Sequence, residues 1–356
     1  MRIVQVIDSL DLGGAEKMAV NYANALLNKI EFSGLVATRA EGNLKIELDE
    51  KVSYLFLNRK RIIDFGAVLR LKKYCKENNI DFIQAHGTSY FIAILVKLIY
   101  PKVKIVWHEH FGARHSEHIN KNILLLFCSY FFKGIVVVNK SLEEWCKLNL
   151  RCNNIILLNN FTLNKVEIPS TILKGFEGKK IVCIANLKYP KNHSFLIEIA
   201  HQLLKKYPDW SFHLIGKDFF DDYSNQLKAQ IRDYNLIDSV FIYGSKNDVY
   251  NILKQSDIAI LTSTSEGMPV SVIEYGLMKK PVVLTKVGEI PFIIKDGIEG
   301  FLVDVNDLDL FHEKLTNYIQ EEGLRTQMGN ALHQTIIDKH SEKGIIANYL
   351  NWVISL

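Results

Sequence analysis

The stretch Ile258-Ala-Ile-Leu261-Thr-Ser-Thr-Ser-Glu266-Gly-Met-Pro-Val-Ser-Val-Ile-Glu274 decides the fold. Its first four residues form a continuous apolar run, the pattern of a strand buried on both faces. Gly267 and Pro269 then punctuate a polar loop, and Ser271–Lys279 reads as a short helix. Glu266 falls in the loop at the strand's carboxyl end, and Glu274 about one turn inside the helix. Open parallel sheets bind ligands at that end of their strands. Two carboxylates there suit sugar hydroxyls, which donate hydrogen bonds to ionised oxygens. Without a ligand, the same pair reads as solvated charges or helix-cap partners.

The same strand–loop–helix rhythm runs outward in both directions. Arg2–Ile7 reads as a buried strand, Leu12-Gly13-Gly14 as a turn and Ala15–Asn28 as a helix. Phe65–Asn78, Tyr90–Ile99 and Asn122–Phe132 read as helices; Phe82–Ala85, Lys104–His108 and Gly134–Asn139 read as strands. The rhythm breaks between Leu163 and Gly178, where Pro169, Gly175 and Gly178 lie among polar residues. It then resumes with strands at Lys180–Ala185, Ser211–Ile215, Val240–Tyr243, Ile258–Leu261 and Val282–Leu284. Helices are expected at Phe195–Tyr207, Asn225–Tyr234, Leu308–Glu321, Leu324–Lys339 and Gly344–Ser355. This is an α/β chain of two doubly wound domains, with residues 1–165 and 179–340 as the domains and 166–178 as the linker. A terminal helix within 341–356 is expected to return toward the first domain. A cleft between two such domains is the default ligand site.

Composition narrows the classes. The chain has 356 residues, 48% of them hydrophobic and 23% charged, which excludes disorder and low complexity. Cys75, Cys128, Cys146, Cys152 and Cys183 show no paired or zinc-type spacing and read as reduced thiols. The longest apolar run, Ile123 to Phe132, is too short to span a bilayer. Asp8 and Asp11 interrupt the N-terminus before a signal pattern completes, so a cytoplasmic location is expected. The net charge is +4, but residues 1–165 carry 23 basic and 15 acidic side chains and the remainder 20 and 24. A basic first half suits a phosphate or an anionic membrane surface. The modest total and the lack of a binding motif disfavour nucleic acid.

Gly13-Gly14 sits where a helix starts, a place where backbone N–H groups accept anions. It is not GxGxxG, which disfavours a nicotinamide cofactor. His108-Glu109-His110 at a strand end offers two ligands for a metal, with no evident third. His86 and His193 read as structural or peripheral, and His115 and His118 add nothing decisive. His118–Phe132, with Lys121, reads as buried core or as a face resting on lipid, reinforced by Arg59-Lys60-Arg61 and Lys72-Lys73.

Glu266-x7-Glu274, followed by Gly276, Pro281 and Val287-Gly288-Glu289-Ile290-Pro291, resembles the donor-site signature of family 4 retaining glycosyltransferases. The likeness continues through Ile294–Val303. Gly13-Gly14-Ala15-Glu16, Ile80–His86, Val106-Trp-His108 and Leu157–Phe161 match in order along the first half. The resemblance implies the GT-B fold, two Rossmann-like domains facing across a cleft. The first would bind the acceptor and the second a nucleotide sugar, UDP-linked in preference to GDP-linked. Glu274 would hold the ribose hydroxyls. Glu266 would contact the transferred sugar, with the backbone of Gly267, Met268 and Val270 around Pro269. Lys191 would neutralise the diphosphate, which Gly13 and Gly14 would approach from the other domain, and His108 would sit near the sugar. No cofactor and no metal are implied, fixed positive groups taking that place. The family carries an Arg where this chain has Asn186; either Lys188 supplies the charge or Lys191 and the backbone act alone.

The acceptor implied is a glycan or a lipid-diphosphate-linked sugar, on the way to capsule, O-antigen or exopolysaccharide, with the protein peripheral on the inner face of the membrane. No carboxylate stands out as the general base an inverting enzyme needs, which favours retention. The rival readings are a non-catalytic nucleotide-sugar-binding subunit, which only Asn186 favours, and a sugar-nucleotide epimerase on the same fold.

Overall fold

The computed structural model describes residues 1–111, 114, 122–163 and 169–356, which divide into two compact units, Met1–Leu163 with Ser341–Leu356, and Asn164–His340. His115, His118 and Lys121 lie outside the described residues.

Unit 1 is built on a seven-stranded parallel sheet. Its strands are β1 (Arg2–Ser9), β2 (Phe32–Ala40), β3 (Ser53–Phe56), β4 (Phe82–His86), β5 (Lys104–Glu109), β6 (Phe132–Val137) and β7 (Ile155–Leu157). They are ordered β3-β2-β1-β4-β5-β6-β7. The helices are α1 (Gly14–Leu26), α2 (Phe65–Glu77), α3 (Tyr90–Ile99), α4 (Ile123–Cys128) and α5 (Lys140–Asn149). The central strands are the apolar runs of the sequence; Ile3, Val4, Val6, Ile83, Ile105 and Val106 have essentially no exposed surface.

Unit 2 repeats the scheme with six parallel strands. They are β8 (Lys180–Ile184), β9 (Ser211–Ile215), β10 (Val240–Gly244), β11 (Ile258–Leu261), β12 (Val282–Thr285) and β13 (Phe301–Val303), in the order β10-β9-β8-β11-β12-β13. Around them lie α6 (His193–Lys206), α7 (Asp222–Asp233), α8 (Val249–Lys254), α9 (Val270–Leu277), α10 (Ile290–Ile293), α11 (Leu308–Gln320) and α12 (Glu322–Lys339). The last helix, α13 (Glu342–Ser355), belongs to unit 1, where Tyr349 packs edge-on against Tyr22 of α1 at 5.0 Å between ring centres.

The strand order places a switch point in each sheet. Chain connections leave in opposite directions from β1 and β4 in unit 1, and from β8 and β11 in unit 2. Within each unit, the loops after those two strands leave on opposite sides of the sheet.

Two expectations need correction. The helix expected over Asn122–Phe132 ends at Cys128; a single 3-10 turn follows, and Phe132 already opens β6 by stacking on Trp107 at 5.5 Å. That helix is not simply core: Leu125 and Cys128 are buried, but Ile123, Leu124, Phe127, Tyr130 and Phe131 are exposed. Arg59 does not join a basic surface with Lys60 and Arg61. It is buried, with its guanidinium 3.2 Å from Asp8. The described part of the expected linker, residues 169–178, has no regular structure, and Asp248 ties it to unit 2. Ser170 N–H and Thr171 N–H donate to its carboxylate at 2.8 and 2.7 Å.

Candidate active site

In unit 2 the loops after β8 and β11 are stitched together. Thr262 Oγ1 donates to the carbonyls of Lys191 and Asn192 at 3.1 and 3.2 Å, and Thr264 N–H to that of Pro190 at 2.8 Å. This brings Lys191 onto Glu266: Nζ lies 2.5 Å from Oε1, and Ser263 Oγ donates to the same oxygen at 2.6 Å. The Glu266 side chain is 7% exposed and that of Lys191 21%, so the pair is partly desolvated and its hydrogen bonds are charge-assisted. Two residues assigned separate roles from the sequence thus hold one another, and Ser263 is an unforeseen third partner. Its signal was only its place in the loop.

The loop is backed from below. Glu289 N–H donates to the Gly267 carbonyl at 3.1 Å, and Thr285 Oγ1 to that of Ser263 at 2.6 Å. Gly288 has φ +56°, and a Cβ there would run into the Glu266 carbonyl, so the Val287-Gly288-Glu289 motif forms the floor of the loop. Pro269 caps α9, Met268 and Val270 are buried, and Glu274 is buried one turn into the helix. α9 thus starts four residues after Glu266. Its dipole favours an anion there.

Asn186 is a bracket between strands: its Oδ1 accepts from Lys217 N–H at 2.8 Å. Lys188 is exposed, and its ammonium lies 5.9 Å from the Phe219 ring centre, with Lys217 5.1 Å from the same ring. Lys188 and Lys217 thus both lie close to Asn186. Lys217, 26 or more residues distant in sequence from Lys188 and Lys191, gave no local signal.

In unit 1, Gly13 is extended and precedes α1, which begins at Gly14. A Cβ at Gly13 would meet the Glu16 carboxylate, whereas Gly14 has open space around it. His108 is 1% exposed, and its Nδ1 lies 3.0 Å from the Gln84 side-chain nitrogen. Its ring stands edge-on to Tyr22 at 5.4 Å. The sequence offered two histidines here and no third. The fold adds His86 from β4, which lies in register with His108, and one ring nitrogen from each of His86, His108 and His110 falls within 4.8 Å of the others. Burial, and then the neighbouring imidazole rings, hold His86 and His108 well below the usual histidine range; burial takes His110 down to about 3. All three rings are neutral at pH 7. Glu109 is committed elsewhere, accepting from Phe111 N–H at 2.8 Å and pairing with Arg114. The five cysteines are free and buried. Among the described residues no helix is long and apolar enough to cross a membrane.

Comparison with known proteins adds the family. The profile of glycosyl transferases group 1 matches residues 167–335, and that of glycosyltransferase family 4 matches residues 12–161. The chain is 23% identical to the UDP-Gal:alpha-D-GlcNAc-diphosphoundecaprenol alpha-1,3-galactosyltransferase of Escherichia coli, over 91% of this chain and 89% of that protein. It is 22% identical to the amylovoran biosynthesis glycosyltransferase AmsD of Erwinia amylovora, over 95% of each. Among solved structures it resembles Anabaena Alr3699/HepE in complex with UDP and glucose, with a TM-score of 0.83 at 17% identity over the whole of both chains.

Proposed function

The chain belongs to the family 4 glycosyltransferases of surface-polysaccharide type, with their α/β two-domain GT-B fold, and from that premise we propose that it transfers a hexosyl or N-acetylhexosaminyl group from a UDP-sugar, with retention and without a metal, to a lipid-diphosphate-linked acceptor. The coarse activity, a glycosyltransferase of polysaccharide or O-antigen biosynthesis, is common to its relatives. The donor class, the retaining outcome and the acceptor are our reading.

The observation that carries the reading is the meeting of Lys191 and Glu266 at the unit 2 switch point, in the loop that leads into α9. When the donor binds, Lys191 turns from Glu266 to the diphosphate, and the freed Glu266 carboxylate accepts hydrogen bonds from the sugar hydroxyls. Glu274 takes the ribose hydroxyls. Lys188 and Lys217 supply the charge that the missing arginine would have given. For Gly13, Gly14 and His108 of unit 1 the family resemblance is the support. In the reaction the bond from the anomeric carbon to the leaving phosphate oxygen breaks, and a bond to the acceptor oxygen forms on the same face. The departing phosphate oxygen takes the acceptor hydroxyl's proton. Negative charge grows on the nucleoside diphosphate, where fixed cations and N–H dipoles stabilise it. The relatives named for diphosphoundecaprenol-linked substrates and for amylovoran support a lipid-linked or glycan acceptor. The exposed apolar residues Ile123, Leu124 and Phe127 support peripheral contact with the membrane that carries it.

The test is transfer from α-linked UDP-sugars to a GlcNAc-diphosphate-lipid acceptor, in the presence of EDTA, with the anomeric configuration of the product read by NMR. An α-linked product is expected, and Glu266→Gln is expected to lower kcat/KM about 100-fold or more. A β-linked product, or a Glu266→Gln variant with full activity, overturns the proposal.

A further inference from the structure

One face of the unit 1 sheet carries a polar stripe through an otherwise apolar core. Gln5 of β1 lies opposite Gln84 of β4, and His86 of β4 opposite His108 of β5. His110 follows His108 by two residues, on the same side. Gln5 and Gln84 have no exposed surface, and His86 and His108 are 1% exposed. Polar groups in that position are costly unless each has a partner.

Their partners define the lone pairs. The Gln5 carboxamide oxygen, which can only accept, lies 2.8 Å from His86 Nε2, so that nitrogen carries the proton. His86 Nδ1 is therefore a lone pair, and it accepts from His110 Nε2–H, 2.9 Å away, a proton that moves to His110 Nδ1 when a metal takes both nitrogens. The Gln84 side-chain nitrogen donates to His108 Nδ1 while its oxygen accepts from the Tyr349 hydroxyl of α13, so the free ring carries its proton on Nε2; turned over, with the Tyr349 oxygen accepting from its nitrogen, the carboxamide accepts from Nδ1–H and leaves the Nε2 lone pair to a metal. His108 Nε2 is buried with no partner at all. The ring centres of His108 and His110 are 4.0 Å apart, and those of His86 and His108 5.0 Å. Three neutral imidazoles therefore converge, each of the two deepest fixed from behind by a carboxamide.

We infer that His86, His108 and His110 are the three protein ligands of a site for a divalent transition metal of zinc type, with Gln5 and Gln84 as the outer partners that fix ring orientation. Neutral imidazole is the ligand that zinc, copper and nickel prefer, and three of them leave a fourth position for water or an anion. A hydrogen-bonded outer partner behind a metal-ligating histidine is a regular feature of such sites. The carboxylate-poor donor set disfavours magnesium and calcium, which take oxygen ligands. The consequence for activity rests on the proposed function, in which His108 serves the transferred sugar. A metal that takes the His108 lone pair withdraws the ring from that role, so zinc inhibits transfer.

The full chain, freed of metal with EDTA and exchanged into buffer, is titrated with Zn²⁺ against a chromogenic chelator and with Co²⁺ by visible absorption. One equivalent is expected to bind, with the intense visible bands of four-coordinate Co²⁺. His110→Gln and His86→Gln are each expected to abolish the bands, and Gln5→Ala to weaken binding about 10-fold or more. Thermal melts of each variant verify that it is folded. The absence of stoichiometric binding, or binding unchanged in folded His110→Gln, overturns the site. The ratio of transfer in Zn²⁺ to transfer in EDTA is read separately. A wild-type ratio well below one that rises toward one in His110→Gln supports the inhibitory role, and a wild-type ratio of one overturns it. The binding titration needs no turnover, so a failed site and a failed transferase reading are told apart.

Discussion

His213, in the middle of β9, has no exposed surface; its ring nitrogens face Ser211 Oγ at 2.9 Å and Tyr243 Oη at 3.1 Å. Burial, helped by the charge of Lys180, holds it down to about 4; burial likewise holds His193 at about 4. An unfolded histidine titrates near 6.5, so between these values the unfolded chain binds more protons. This contribution to stability is complete above pH about 6.5 and is lost as the pH falls toward 4. Thermal melts from pH 7.5 to 4.5 should therefore show Tm falling below pH 6.5, with a shallower fall in His213→Asn; an identical slope contradicts the assignment. At this scale the sequence was legible where chemistry follows from local spacing. Glu266 in a loop and Glu274 one helical turn later could be read directly from the strand before them. Ser263 as the partner of Glu266, Lys217 beside Asn186 and His86 beside His108 could not. The first depends on how the loop folds back on itself, and the other two on which strands are neighbours and in what register, which a single strand's sequence does not contain.

The loop from Thr262 to Pro269 takes its shape from the segment beneath it. Gly288 at φ +56° leaves no room for a Cβ against the Glu266 carbonyl, whereas Gly297 at φ +74° has open space. Both alanine variants bear the left-handed backbone cost of about 1–2 kcal/mol, but only Gly288→Ala must also push the loop away. Gly288→Ala is expected to lose more stability in urea melts than Gly297→Ala and to weaken UDP binding about 10-fold or more; equal behaviour of the two contradicts this account of the floor. Long or strongly apolar elements were legible: β1, β5, β11, α2, α3 and α12 all stand within a few residues of their expected places. The strands β2, β3, β7 and β13 and the helices α5, α8 and α10 were not read. Phe32–Ala40 is broken by Ser33, Gly34 and Thr38, which weaken a strand pattern, and β7 and β13 have only three residues each. The overrun of α4 has another cause, since an apolar run looks alike in a buried helix and a buried strand.

At the scale of the molecule, each unit has its own sheet and core, and α13 completes the first by placing Tyr349 on Gln84 and against Tyr22. The amphipathic pattern through Ile345, Ile346, Tyr349 and Trp352 made that helix legible as one that needs a partner, and unit 1 is where it packs. The repeated α/β rhythm made the fold class legible, because it recurs along nearly the whole chain. The donor sugar and the acceptor were not legible, since they depend on pocket shape at the level of single hydroxyls. The Lys191–Glu266 loop of unit 2 is proposed as a UDP-sugar site needing no metal. Its most direct test is the thermal stability of the wild type and Lys191→Ala with UDP, UDP-sugars, GDP, ADP and NAD, all in EDTA. UDP and its sugars at 100 times their Kd should stabilise the wild type by about 2.7 kcal/mol, and Lys191→Ala should lose most of that gain. Stabilisation by NAD or GDP alone, dependence on added metal, or a Lys191→Ala response equal to wild type would contradict the account.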